Sequence, residues 1–106
     1  MAIGAVTWGA VVVGTTGSLT PAQPSPAAGD LLLCFCYDYA QLTSWTQPAD
    51  WSTHKNAAVA SSGTYAIFWK VATGSEGTAT ITCAATGTGV SRLARICQVA
   101  VASITL

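Results

Sequence analysis

Charged residues are scarce in this chain of 106 residues, making up 8% of it against about 25% in an average soluble domain. Four acidic residues balance four basic ones, so the formal net charge is zero. Identical copies therefore repel each other little, and a free copy would associate readily. We infer that part of the surface is normally covered by other protein; the alternative is a neutral surface of Ser, Thr, Gly and Ala.

Basic clusters and long apolar runs are also missing. Without a stripe of Lys and Arg, the sequence gives no reason to expect nucleic-acid binding. No apolar stretch approaches the roughly 18 residues that a membrane-spanning helix needs. The start, Met1 to Gly4, lacks the basic residues of a secretory signal. We therefore expect no nucleic-acid partner, no membrane partner and no export through a membrane.

Catalytic residues are equally few. The single histidine, His54, would have to serve any Ser-His-Asp or Cys-His arrangement, and its position at a loop edge predicts an exposed side chain instead. A glycosidase would need a larger cleft than so small a sandwich offers. We expect no enzyme, no catalytic residue and no cofactor.

The acidic residues have structural explanations. Asp30 is predicted to accept backbone N–H bonds in the turn before Leu31. Glu76 is predicted to do the same in the turn of residues 73–77, or to pair with Lys70 or Arg92.

Four cysteines raise the question of a metal or a disulfide. Cys34 and Cys36 are two apart, which places both side chains on one face of a strand. Cys83 and Cys97 are isolated in the sequence, and there is no Cys-x-x-Cys pair. A closed zinc site would need all four to converge. We predict buried free thiols and no metal site, with a disulfide as the alternative.

Abundant Thr, Val and Ile, punctuated by Gly, Ser and Pro, predict an all-β fold. Strands are predicted at residues 3–13, 31–39, 54–60, 64–72 and 78–84, and over 90–106, where a helix is the alternative. Loops are predicted at 14–29 and 40–53, and turns at 61–63, 73–77 and 85–89. The pattern predicts one domain, residues 1–106, folded as a two-sheet antiparallel β-sandwich of jelly-roll-like or immunoglobulin-like topology.

Several apolar residues have predicted positions in this fold. Both faces of strand 31–39 are apolar, which indicates a central strand buried on two sides. Trp69 is predicted to lie in the core. Trp45 and Trp51 are predicted to cap one end of the sandwich, or else to stack on a sugar or anchor a partner.

Residues 1–13 are predicted to form an inter-subunit or docking strand that adds to a neighbour's sheet edge. Its alternation places Val6, Trp8 and Val12 on one face. The candidate interface residues are Ile3, Val6, Trp8, Val11, Trp45 and Trp51.

Three segments taken together, AGDLLL (28–33), PADWS (48–52) and IFWKVATGSE (67–76), carry a resemblance. In order and spacing they resemble a recurring domain of bacteriophage and prophage structural proteins, over about residues 26–101. The resemblance implies a virion protein assembled in the cytoplasm of a bacterial host, with no catalytic residues to carry over.

Relatives in this family are often parts of longer tail or fibre proteins, whereas this chain stops near the last shared strand. A compact copy resembles a capsid decoration (cement) protein, expected to be a homotrimer that bridges subunits of the major capsid protein and stabilises the head. The alternative is a tail or fibre-tip protein, possibly a carbohydrate-binding module that contacts host glycans.

Overall fold

The computed structural model describes residues 3–15, 18–39, 44–59, 63–85 and 91–101, and these ranges contain strands and no helix. The strands are β1 (Ile3–Trp8), β2 (Val12–Gly14), β3 (Leu31–Asp38), β4 (Trp45–Thr46), β5 (Ser52–Val59), β6 (Gly63–Val71), β7 (Ala84–Ala85) and β8 (Arg92–Val101). The all-β prediction is confirmed. In the described ranges no helix is long and apolar enough to cross a membrane.

Six strands form one antiparallel sheet in the order β1-β8-β3-β6-β5, with β2 pairing β8 beyond the end of β1. The central strand β3 pairs along its whole length with β6 on one side and β8 on the other. The predicted strands at 31–39 and 64–72 are confirmed, and the strand predicted at 54–60 is confirmed as far as residue 59, where the described range ends. A strand, not a helix, is confirmed for 92–101, while residues 102–106 and parts of the predicted loop 40–53 and turns 61–63 and 85–89 lie outside the described residues.

A small second layer covers one face of this sheet. Strands β4 and β7 pair as a two-stranded sheet, and the isolated bridges Leu19↔Cys83 and Ala22↔Thr80 join the segment before β3 to the segment before β7. The predicted strand 78–84 is therefore wrong in its extent. Its neighbour contains Pro21 and Pro24, which have no N–H to donate, so a continuous ladder cannot form.

The core lies between the two layers. Leu32, Phe68 and Ile96 of the large sheet form one buried cluster with Trp45 of β4 and with Trp51, the residue before β5. The indole Nε1 of Trp45 donates a hydrogen bond to the backbone oxygen of Thr64, 3.1 Å away, which satisfies its one polar group inside the core.

The predicted strand 3–13 is split into β1 and β2 at residues 9–11. The Gly9 N–H still donates to the Ile96 oxygen at 2.8 Å, and a Cβ on Gly9 would lie only 3.0 Å from that oxygen. The split reverses the alternation of faces. Trp8 pairs with Cys97, whereas Val12 pairs with Ala94 and packs against the core, so the prediction that Trp8 and Val12 share a face is wrong.

Two carboxylates hold turns, as predicted. The Asp30 carboxylate accepts the Ala27 N–H at 2.9 Å, just before β3 begins. The Glu76 carboxylate accepts the N–H groups of Thr73 at 2.8 Å and Gly74 at 2.9 Å, and Lys70 Nζ lies 3.1 Å from it. Burial alone would raise the pKa of Glu76, but these hydrogen bonds outweigh it and lower that pKa to about 2.

Arg92 pairs with Asp38 and not with Glu76. The two residues are cross-strand neighbours at the ends of β8 and β3, and the guanidinium Nε donates to the carboxylate. Both side chains are almost completely buried. Because a buried charge is costly without its counter-charge, this pair fixes the mutual register of the two central strands.

Candidate functional site

One face of the large sheet is apolar and is not covered by the second layer. We call it the open face; it consists of the outward side chains of β1, β3, β6 and β8, namely Val6, Trp8, Leu31, Leu33, Phe35, Tyr37, Tyr65, Ile67, Trp69, Val71, Leu93, Arg95 and Val99. Each of these side chains is exposed or only partly buried. Large continuous apolar surfaces of this kind mark binding sites in soluble proteins.

The burial of β3 shows this arrangement residue by residue. Along the strand, partly buried and fully buried side chains alternate strictly from Leu31 to Asp38. The prediction that β3 is buried on two sides is therefore wrong. The strand is central within its sheet, but the short second layer covers only the face that carries Leu32, Cys34 and Cys36. Trp69 is likewise partly buried on the open face instead of in the core.

Trp8, Arg95 and Phe35 form a cluster where β1, β8 and β3 meet. The guanidinium carbon of Arg95 lies 4.7 Å from the centroid of the Trp8 ring, a cation–π contact. The Trp8 and Phe35 ring centroids are 5.9 Å apart. The Arg95 Nε also donates to the Gly9 oxygen at 2.7 Å, which holds the guanidinium in place. Half of the Trp8 side chain remains exposed.

This composition matches that of protein-binding hot spots. Trp, Tyr and Arg dominate such sites because they present large, rigid surfaces that also carry a polar group. Tyr37 and Tyr39 add a second aromatic pair, edge to face with centroids 5.1 Å apart, and Tyr39 is mostly exposed. The open face therefore has preorganised aromatic anchors in addition to aliphatic area.

The charges on the open face are few and mostly positive. Arg95 lies within it, and Lys55 on β5 pairs with Ile67 and so projects on the same side. Asp50, at the start of β5, stands at the rim beside Trp69. Among the described residues, the middle of the face carries no carboxylate, so its potential favours a surface with acidic groups.

The sequence-predicted interface residues are placed as follows. Val6, Trp8 and Val11 are each about half exposed, and the backbone of Ile3 pairs with Val101 at the end of β1. Strand β1 is at the edge of the sheet, with every described side chain from Ala5 to Trp8 exposed. Trp45 and Trp51 are buried, at 2% and 4% exposure, and neither presents a ring to a partner in this structure.

The sequence reasoning missed Leu33, Phe35 and Arg95 as surface residues. One signal was available in the two segments that had to cover the second face of β3: residues 14–29 are rich in Gly and Pro, and residues 73–89 are rich in Gly. Such segments supply too little regular strand to build a full second sheet.

A shallow groove of about 510 Å³ lies at the end of the open face, where β5 and β6 meet the turn after β6. Trp69 and Val71 form its apolar part, and Asp50, Ser52 and Thr73 contribute polar groups. His54, the one histidine, is exposed on β5.

Three of the four cysteines converge inside the core. The Sγ atom of Cys34 lies 3.8 Å from that of Cys36 and 3.7 Å from that of Cys83. All three sulfurs lie within 4.8 Å of one another and could hold a metal ion. Cys97 pairs with Leu33 and Trp8, so it lies on the opposite face of the sheet. All four are free and buried, as predicted, and the fold brings Cys83, which is isolated in the sequence, to Cys34 and Cys36.

The three neighbouring thiols shift one another's pKa values. Hydrogen bonds with Cys34 and Cys83, together with burial, raise the pKa of the Cys36 thiol. The pKa of Cys83 is lowered, since S–H groups of Cys34 and Cys36 stabilise its thiolate. For Cys97, burial is the main cause that raises the pKa. The opposite directions of the pKa shifts of Cys36 and Cys83 have one cause, the hydrogen bonds among the three sulfurs.

A scan against protein-family models finds no match, and comparisons with curated proteins and with solved structures find none either. The resemblance to phage structural proteins therefore depends on the three sequence segments alone.

Proposed function

We propose that this chain is a virion structural protein that acts by contact, with its open face covered by neighbouring protein in the assembled particle. The observation that carries this proposal is the open face itself, an apolar surface spanning four strands of the large sheet. Leaving so much apolar area in water is unfavourable, and covering it would drive association. The small number of charges on the chain removes the electrostatic opposition to that association.

The partner on the open face is a different protein with acidic groups. Arg95 and Lys55 give the face a positive potential, and two copies placed face to face would bring like charges together. An apolar surface bordered by carboxylates complements this arrangement better. In a phage particle the major capsid protein is the proposed partner, which makes the chain a capsid decoration (cement) protein.

Copies of the chain associate with each other through the β1 edge in this proposal. No strand of the described ranges pairs with the outer edge of β1, and a neighbour's strand added there would extend the sheet. A homotrimer built in this way would hold three open faces toward the capsid. Each additional face raises the effective affinity, because binding after the first contact is intramolecular.

Purified particles from the strain that encodes the chain provide the test. Mass spectrometry is expected to detect the chain in them, and cryo-electron microscopy is expected to place many copies on the head with the open face inward. Absence from particles would contradict the proposal, and so would copies found only at the tail tip. Sedimentation of the purified chain tests the oligomer separately, with a trimer expected.

A tail or fibre-tip protein that binds host glycans is the second candidate, supported by the groove at Trp69. A Trp ring beside Asp50 and Ser52 in a shallow depression has the composition of a sugar subsite. Trp45 and Trp51 cannot take that role from inside the core. A glycan array probed with the wild-type chain and with Trp69→Ala decides this, because a signal that disappears in the folded variant would support glycan binding.

A further inference from the structure

We propose that Cys34, Cys36 and Cys83 form a three-sulfur site for a soft metal ion, with copper(I) as the best-fitting ion. The proposal is independent of the open face, because the cluster lies between the two layers. The Cys34 Sγ is 3.8 Å from Cys36 Sγ and 3.7 Å from Cys83 Sγ. All three cysteines are at most 2% exposed.

The sulfur separations are those of ligands on a common ion. Thiolates bound at about 2.3 Å from one metal ion lie about 3.8–4.0 Å apart, for tetrahedral or trigonal angles. Two of the three pairs in this protein already have that spacing, and the third is within 4.8 Å. Small side-chain rotations would bring all three sulfurs around one centre.

The fold explains why these three cysteines meet. Cys34 and Cys36 alternate with Phe35 on β3, so both project toward the second layer. Cys83 forms a backbone bridge with Leu19 in that layer and faces them from the other side. Cys97 is a natural internal comparison, since it is buried but lies on the open face, away from the cluster.

The donor set selects the type of ion. In the described part of the chain, no His, Asp or Glu joins the three sulfurs as a fourth ligand. Zinc in closed structural sites takes four ligands, whereas copper(I) prefers soft sulfur ligands. A buried site with three sulfurs and no hard donor therefore fits copper(I) better than zinc.

Binding needs no change in oxidation state when the copper is supplied as Cu⁺. Starting from three neutral thiols, two protons leave to solvent as two Cu–S(thiolate) bonds form, and the third sulfur coordinates as a thiol. The charge of the site changes from zero to minus one. Because the site joins β3 to the second layer, a bound ion stabilises the folded state over the unfolded one.

The test uses the full chain, reduced and refolded without oxygen, because the closed core admits the ion most easily during folding. Copper(I) is offered in the presence of a competing chromogenic chelator, and retained copper is counted after desalting. One copper per chain is expected, with a sulfur-to-copper charge-transfer band in the ultraviolet and a raised melting temperature. Cys97→Ser is expected to behave as the wild type, while Cys83→Ser loses the copper, the band and the increase in melting temperature.

Several results would overturn the proposal. These are a wild-type chain that retains no copper, a Cys83→Ser variant that retains as much as the wild type, and a chain that retains zinc in preference to copper(I). Loss of two hydrogens in the intact mass, without copper, would show that two of the cysteines form a disulfide instead. If Cys83→Ser fails to fold, thiol alkylation of the wild type decides, carried out in urea at a concentration that unfolds the copper-free chain, because the thiols of the folded chain are buried. Copper is expected to protect the three cluster cysteines under these conditions, and equal labelling with and without copper would refute the site.

Discussion

Replacing Trp8 with Ser is expected to weaken attachment to the partner much more than it weakens the fold. Trp8 is 50% exposed on the open face. The exposed half of a Trp side chain amounts to roughly 100 Å². Covering that area in an interface contributes about 2.5 kcal/mol, at about 25 cal/mol per Å². The substitution should therefore raise the dissociation constant about 70-fold.

The effect on folding should be smaller, because the Trp8 contacts with Phe35 and Arg95 are at the surface. We expect the free energy of unfolding to fall by about 1 kcal/mol, a typical cost for one partly buried residue. Thr7→Ala is the matched control. Thr7 is the neighbour of Trp8 on the same exposed strand, but it pairs with Gln98, so its side chain projects to the other side of the sheet.

The assay titrates particles that lack the chain with wild-type, Trp8→Ser and Thr7→Ala proteins, and measures occupancy against concentration. Circular dichroism and urea denaturation establish that each variant is folded. If Trp8→Ser binds as tightly as Thr7→Ala, the open face around β1 does not contact the particle and the reasoning fails.

Three further predictions concern stability. Arg92→Leu leaves the buried Asp38 carboxylate without its counter-charge and should lower the free energy of unfolding, measured by urea denaturation, by about 3–5 kcal/mol. A loss below about 1 kcal/mol is typical of exposed ion pairs and would contradict a pair shielded from water. The pKa of Glu76 is lowered from its ordinary value of 4.5 in the folded state, so the ionised carboxylate stabilises the fold at pH values above 4.5. This stabilisation is lost as the pH falls toward about 2. Glu76→Gln should therefore be less stable than the wild type at neutral pH by at most about 3 kcal/mol, the equivalent of the whole shift, and this difference should vanish in acid titrations. Gly63 has a φ of +148°, and a Cβ there would lie 2.2 Å from the backbone oxygen of Asp38. Gly63→Ala should therefore not fold, and its thermal melt should show no unfolding transition. Gly77→Ala, with a φ of +55° and no clash, should fold with a slightly lower melting temperature.

The sequence predicted the large sheet well because its strands carry strong local signals. The alternation of β6 around Trp69 and the β-branched run of β8 both indicate strands without reference to the rest of the chain. The turn roles of Asp30 and Glu76 were also predictable, since an acidic side chain before or within a tight turn finds backbone N–H groups nearby.

The open face could not be predicted in the same way. Leu33 and Phe35 are as apolar as Leu32 and Cys34, so the pattern of β3 does not distinguish a face covered by the same chain from one left for a partner. That distinction depends on how much of the second layer forms, which is a tertiary property. The predicted alternation of side chains between the two faces over residues 3–13 is wrong for a local reason. The strand breaks at Gly9, and after the break the Val12 side chain points toward the core.

The convergence of Cys83 with Cys34 and Cys36 depends on the bridge between Leu19 and Cys83. That bridge joins residues far apart in the sequence, inside segments without a regular pattern. The spacing along the chain was enough to place Cys34 and Cys36 on one face of a strand. The position of the third sulfur, that of Cys83, depends on the fold and could not be predicted from spacing.

The break at Gly9 makes the first strand separable from the rest of the protein. Beyond the break, Val12 anchors β2 in the core, while none of the described β1 side chains belongs to it. Detaching β1 therefore breaks its backbone hydrogen bonds with β8 and its surface contacts, while the core between the two layers stays packed. Opening of this strand requires less free energy than global unfolding, and the vacated edge of β8 would accept the same strand from another copy, so subunits could exchange first strands without unfolding.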